Sequence, residues 1–307
     1  MSILKIDKLS HRYGAAWAIR DINIEINQTG IIGLLGSNGA GKSTTMNIIC
    51  GTLNQTEGTV SINGMDTRRQ RQPAKSQIGF LPQTPPVYTD FTVDEYLSYC
   101  AELRLISNAD IPAAVEEAKE KCQISHFSNR LIRNLSGGYR QRVGIAQAII
   151  HKPSLVVMDE PTNGLDPNQL IEVRKLIREI GKDRTVLLSS HILSEISLLC
   201  REIIMIEGGR VIFSDTMEAF NNYLQPNSLR VHFENPPSSG DLQQIPGVNR
   251  VEVLSDKQVR IFFEKDESIA ERIVEASTQN RWRLREIHFE KGVLDDVFKQ
   301  LSSQSQQ

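Results

Sequence analysis

No apolar run in this 307-residue chain approaches the ~18–20 residues needed to cross a bilayer. The opening, MSILKIDKLSHRYG (residues 1–14), is charged within its first turns and lacks the apolar core of a secretory leader. Cysteine is scarce. Cys50, Cys100, Cys122 and Cys200 are scattered without a CxxC pair, so neither zinc nor a disulfide framework is indicated. Neither sign of charge dominates: 35 Lys and Arg stand against 37 Asp and Glu, a formal net charge of −2. That balance removes the electrostatic reason to expect nucleic acid across the surface, and the most basic run, RRQR (68–71), is short enough to read as a solvated loop. No repeat with a period of about 20–50 residues is present. These absences predict a reduced, cytosolic protein; if it works on a membrane, a partner must do the spanning.

What is there is an alternation of strand and helix patterns. ILKIDKLSHRY and IRDINIEIN alternate apolar and polar residues as two antiparallel strands, and GIIGLLG (30–36) is a short buried strand entering a glycine-rich turn. KSTTMNIICGTL has helical spacing, and SQIGFLPQ is a strand ending at Gln83. Thr92 and Glu95 form a capping box that opens the helix VDEYLSYCAELRL. The pattern stays helical to Ile150. SLVVMDE then reads as a buried strand, PNQLIEVRKLIREI as a helix and RTVLLSSH as a strand. This order predicts an α/β fold around a mostly parallel sheet, with an antiparallel β part and a helical insert over about 86–150.

Composition changes after Tyr223. SLRVHFE, NRVEVL, KQVRIFFEK and WRLREIHFE alternate as strands, ESIAERIVEASTQN is an amphipathic helix, and VLDDVFKQL is a final one. With a short helix near residues 241–244, the order is β-α-β-β-α-β, the ferredoxin-like arrangement. The expected domains are therefore 1–222, a small α+β accessory domain over 223–302, and a disordered tail, 303–307.

GSNGAGKS (36–43) fits the phosphate-loop pattern G-x-x-x-x-G-K-[ST], between a predicted strand and a predicted helix. Backbone N–H groups from Gly36 through Ser37, Asn38, Gly39, Ala40 and Gly41 to Thr44 are placed to wrap phosphates. Lys42 is placed to reach the terminal ones, and Ser43 to ligate Mg²⁺. LVVMDE presents Asp159 and Glu160 at the C-terminal end of a buried strand, the usual place for ligand chemistry in an open α/β sheet. Asp159 is placed to hold Mg²⁺ through water, and Glu160 to accept a proton from an attacking water. A third stretch, LSGGYRQR (135–142), sets Ser136, Gly137 and Gly138 at a helix start, with Arg140 and Arg142 following. A helix N-terminus, a hydroxyl and two cations make an anion site, but these residues alone do not name the anion.

Over residues 4–216 the chain resembles the ATP-binding subunits of ABC transporters. Tyr13 in HRYG corresponds to the aromatic that stacks on adenine, with Trp17 the alternative. Gln83 in FLPQ resembles the glutamine that contacts Mg²⁺ and the attacking water and senses the membrane partner. LSGGYRQR is the family signature, GLDP (164–167, with Asp166) resembles the D-loop, and His191 in SSH resembles the switch histidine. Ser37 stands where many relatives have Pro, and Asn163 precedes the D-loop; neither side chain is expected to carry chemistry.

The resemblance implies that Ser136 and its neighbours close over the γ-phosphate held by the phosphate loop of another subunit. It implies an ATP-dependent homodimer, or a heterodimer with a paralogue, with ATP and Mg²⁺ as cofactors. It also implies a separate integral membrane permease, no nucleic acid, and a place on the inner face of the cell membrane. PPVYTDFTVDEYLSYCAELRL and GVLDDVFKQL resemble exporters of drugs, polysaccharides and lipids, and the ATPase linked to bacterial gliding motility. The alternative is a soluble ABC-type ATPase on DNA or ribosomes, which calls for a basic face or a long coiled coil; neither is visible.

Overall fold

The computed structural model describes residues 2–223, 228–263 and 268–290. Its contacts divide the chain into two compact units, 1–217 and 218–307. The final predicted helix, VLDDVFKQL, and the tail 303–307 lie outside the described residues.

The first unit holds two sheets. Strands β1 (Leu4–Tyr13), β2 (Ala16–Ile26), β4 (Glu57–Ile62) and β5 (Met65–Asp66) form an antiparallel sheet in the order β2-β1-β4-β5. Strands β3 (Gly30–Leu35), β6 (Ile78–Leu81), β7 (Leu155–Met158), β8 (Thr185–Ser190), β9 (Glu202–Glu207) and β10 (Arg210–Thr216) form a second sheet, ordered β10-β9-β3-β8-β7-β6. All its pairings are parallel except β9 with β10. Its central strands are buried along their whole length, which is why they read as continuous apolar runs. One core joins the two sheets through Leu4, Ile24, Ile32, Leu34, Val157 and Ile204, and α1 (Lys42–Ile49) adds Met46 and Ile49 to it.

Helix α2 (Arg71–Ser76) precedes β6, and the helical insert follows it: α3 (Val93–Leu103), α4 (Ile111–Cys122) and α5 (Gly137–Ile149). The capping box at α3 is formed on both sides. Thr92 Oγ1 accepts from the Glu95 N–H at 3.2 Å, and the Glu95 carboxylate accepts from the Thr92 N–H at 2.8 Å. Helices α6 (Pro167–Asp183) and α7 (Leu193–Leu199) connect β7 to β8 and β8 to β9.

Helix α8 (Met217–Tyr223) begins at the last residue of the first unit and runs into the second. Beyond it come β11 (Ser228–Phe233), α9 (Ser239–Gln243), β12 (Val248–Ser255), β13 (Gln258–Phe263), α10 (Ile269–Gln279) and β14 (Leu284–Glu290). The sheet is antiparallel in the order β12-β13-β11-β14, the ferredoxin-like topology. Its own core gathers Val231, Phe233, Ile261, Ile269 and Ile273.

His151, just after α5, supplies a test of the packing around β6. Its Nε2 donates to the Ile78 carbonyl at 3.1 Å, and Nδ1 is buried with no partner among the described residues. Burial, aided by the nearby Arg104 and Arg184 charges and opposed by the Ile78 bond, pushes its pKa down to about 4. The fold therefore holds the neutral ring, and an unfolded chain takes up the proton first. Stability from this group is complete above pH ~6.5 and is lost as pH falls towards 4, by up to about 3 kcal/mol. Urea unfolding at pH 7 and pH 4.5 should show a fall in midpoint that is clearly smaller in His151→Gln.

Candidate ATP-binding and hydrolysis site

Strand register assembles the candidate catalytic groups. Leu81, Met158 and Leu188 lie side by side on β6, β7 and β8, and Leu35 pairs with Ser190. The residues that follow each strand end therefore converge at one sheet edge: Gly36 after β3, Gln83 after β6, Asp159 and Glu160 after β7, and His191 after β8.

The phosphate loop turns into α1 at Gly41, whose φ of +107° is open to glycine and strained for other residues. A Cβ there would also lie 2.5 Å from Ile19 Cγ2. No side chain caps α1 and its first turn carries no acid, so the open N–H groups and the helix dipole suit an anion. A cleft of about 270 Å³ is lined by Ala18, Asn38, Gly39, Gly41, Lys42, Ser43, Thr44, Gln83 and Glu160. Lys42 is buried, and its ammonium donates to the Gly36 and Ser37 carbonyls at 2.9 and 3.0 Å. Burial lowers its pKa against the opposing pull of Glu160, Asp159 and Glu207. A phosphate would supply the anion this desolvated cation lacks.

Glu160 adopts φ +47°, the left-handed region, at a strain of about 1–3 kcal/mol. His191 Nδ1 lies 3.0 Å from Oε1, while Gln83 and Asn163 donate to Oε2 at 3.3 and 3.2 Å. Asp159 is buried beside it. Among the described residues no three His, Cys, Asp or Glu side chains gather to hold a metal. The oxygen donors Ser43, Gln83 and Asp159 instead fit Mg²⁺, which keeps waters and takes substrate phosphates to fill its shell.

The structure adds two contacts: Asn163 donates to the Glu160 carboxylate at 3.2 Å, and the Ser37 hydroxyl donates to Glu207 at 2.9 Å. Arg142 is already engaged within its own subunit: it is buried, ion-paired with Glu172, bonded to the Cys122 carbonyl at 3.3 Å, and stacked on Tyr139. Ser136 occupies the N-cap position of α5, but its exposed hydroxyl bonds none of the helix N–H groups. It accepts only a long bond, 3.5 Å, from Gln169. Gly138 leaves room for that glutamine, whose side chain would lie 2.5 Å from an added Cβ. Asp166 caps α6 by accepting from the Gln169 N–H at 2.9 Å. Gly138 and Asp166 line a second cleft of about 300 Å³, which shares no residue with the phosphate-loop cleft.

Tyr13 is 55% exposed and meets only the edge of His11, whereas the Trp17 ring is flanked by Arg12 and Arg20 at 5.7 and 5.1 Å. Tyr13 therefore has the more open ring face. Tyr13→Ala should weaken ATP binding by about 1–2 kcal/mol with turnover at saturating ATP little changed. The same loss from Trp17→Ala, with Tyr13→Ala silent, would reverse the assignment.

The ABC transporter family pattern matches residues 19–163. The bacitracin transport ATP-binding protein BcrA of Bacillus licheniformis is 36% identical, covering 69% of this chain and 69% of its own. The lipopolysaccharide export system ATP-binding protein LptB of Haemophilus influenzae (strain ATCC 51907 / DSM 11121 / KW20 / Rd) is 32% identical, covering 72% of this chain and 94% of its own. The chain belongs to the ABC transporter ATP-binding proteins. A solved structure of the ATP binding subunit of an ABC transporter agrees at 28% identity and a TM-score of 0.65, covering 72% of this chain and 92% of the other. Membership of this family makes the chain an ATP-binding subunit.

Proposed function

We propose that this ABC subunit hydrolyses Mg·ATP at a site completed by a second subunit, and that the resulting closure and release of the dimer powers export through a separate membrane permease. The observation that carries this reading is the arrangement around Glu160, held at both oxygens by Gln83, Asn163 and His191 next to the phosphate loop. Glu160 would take the proton of the attacking water, and His191 would keep the carboxylate oriented. Lys42 and the loop N–H groups would hold the phosphates, and Ser136 to Gly138 of the second subunit would close over the terminal one. Ser43, Gln83 and Asp159 would hold Mg²⁺, which when bound neutralises charge on the transferred phosphoryl group.

The direction of transport rests on the relatives, which are named for bacitracin transport and lipopolysaccharide export. No helix among the described residues is long and apolar enough to cross a membrane. The helical insert exposes an aromatic patch in which Tyr88, 53% exposed, packs on Phe91 and Tyr99 at ring distances of 5.5 and 5.8 Å. This patch suits a protein partner. Pull-down of the tagged protein from detergent-solubilised membranes should recover a polytopic protein that raises its Mg²⁺-dependent ATPase rate. Recovery of ribosomes or DNA with no membrane protein would favour a soluble ATPase, and hydrolysis unaffected by chelation of metal would remove the Mg²⁺ role.

A further inference from the structure

Ser189 has no role in the reading so far, yet it touches both catalytic acids. Parallel pairing sets Met158 opposite Leu188, so the next residues, Asp159 and Ser189, come together at the end of β7 and β8. On its other side Ser189 pairs with Leu34 of β3, and it is fully buried. Its hydroxyl donates to Asp159 Oδ1 at 2.5 Å and accepts the Glu160 N–H at 2.9 Å. The neighbouring hydroxyl of Ser190 points elsewhere, accepting the Ile192 N–H at 3.0 Å and donating to Glu195 at 3.3 Å.

At a buried position in a central strand a β-branched apolar residue packs better, and a hydroxyl is favourable only if its bonds are satisfied. Here both capacities are used on the same catalytic pair. The bond to Oδ1 sets the rotation of the Asp159 carboxylate and leaves Oδ2 with its lone pairs open. The bond from the Glu160 N–H pins the peptide that carries the left-handed turn at Glu160.

We propose that Ser189 is a positioning residue for the hydrolysis reaction, orienting Asp159 towards the metal and holding the backbone of Glu160 in its strained conformation. The proposal rests on the reading of Asp159 as the metal-holding acid and Glu160 as the base. It makes a prediction that a merely structural role does not, because only metal-dependent properties should change. A hydrogen-bonding partner of a metal-holding carboxylate typically contributes about 10- to 100-fold to metal affinity or activity.

The test measures ATPγS affinity in EDTA and in Mn²⁺ for wild type, Ser189→Ala and Ser190→Ala, with turnover of Mg·ATP for the first two. Ser189→Ala should bind ATPγS in EDTA within about twofold of wild type. It should lose about tenfold or more of the affinity gained with Mn²⁺, and turnover should fall at least about tenfold. Ser190→Ala, which removes an equally buried hydroxyl, should keep the full Mn²⁺ gain. A Ser189→Ala protein that matches wild type in Mn²⁺ gain and turnover would overturn the role of Ser189. An equal loss of affinity in EDTA and in Mn²⁺ would also overturn it, by showing general damage. A wild-type protein with no Mn²⁺ gain would instead overturn the underlying reading of Asp159.

Discussion

Glu160→Gln should bind ATP, hold two subunits together and turn over about 10²-fold or more slowly than wild type. Glutamine keeps the shape of the side chain and can still meet Gln83, Asn163 and His191 through its own oxygen and amide. It has no basic carboxylate to receive a proton from water. The left-handed backbone at Glu160 is tolerated equally by both residues, so folding should be unaffected. Size-exclusion chromatography should show a dimer in Mg·ATP that persists in the variant and decays in wild type as ATP is consumed. Full turnover in Glu160→Gln would rule the residue out as the base.

Lys42→Ala should have an effect of similar size on a different step. The ammonium is buried against the Gly36 and Ser37 carbonyls, and no other cation among the described residues lines the cleft. Its removal should lower ATP affinity by about 10- to 100-fold, the range for hydrogen bonds to a charged group, and hydrolysis with it. Isothermal titration with ATP reads the affinity directly. The lowered pKa of Lys42 adds a sign: burial favours the neutral amine, so in the empty protein the cation is lost at a lower pH than for a free lysine. Affinity for ATP should therefore weaken as pH rises into the alkaline range in wild type, and this dependence should be reduced in Lys42→Ala.

The parts of this site that were legible in the sequence are those whose chemistry is contiguous. GSNGAGKS names its own backbone geometry, because the glycines, Lys42 and Ser43 act within one turn of chain. Asp159, Glu160 and His191 follow apolar runs short enough to be buried strands, and strand ends are where an α/β sheet places its chemistry. Ser189 and Asn163 were not legible, because their partners are set by the β7–β8 register and by a turn, and neither follows from residue type. Arg142 is the opposite case: a cation beside a helix start suggests an anion site, and only packing shows that Glu172 and the Cys122 carbonyl already engage it. Strands β9 and β10 went unread, since EIIMIE is a short apolar run without a period that separates strand from helix. In the second unit the alternation in SLRVHF and QVRIFF was clear, because one sheet face is buried and the other is not.

The separation of the phosphate-loop cleft from the cleft at Gly138 and Asp166 motivates the central proposal, that Ser136, two residues before Gly138, serves in one subunit the phosphate held by Lys42 of another. Lys42→Ala and Ser136→Arg homodimers should each be inactive, since every site carries one lesion. In a mixed dimer both lesions fall in the same site and leave the other intact. Differently tagged variants, co-purified through both tags, should therefore regain ATPase activity, at well under half the wild-type rate if the two sites must close together. A doubly tagged dimer that forms as readily as wild type and stays as inactive as its parents would contradict the shared site.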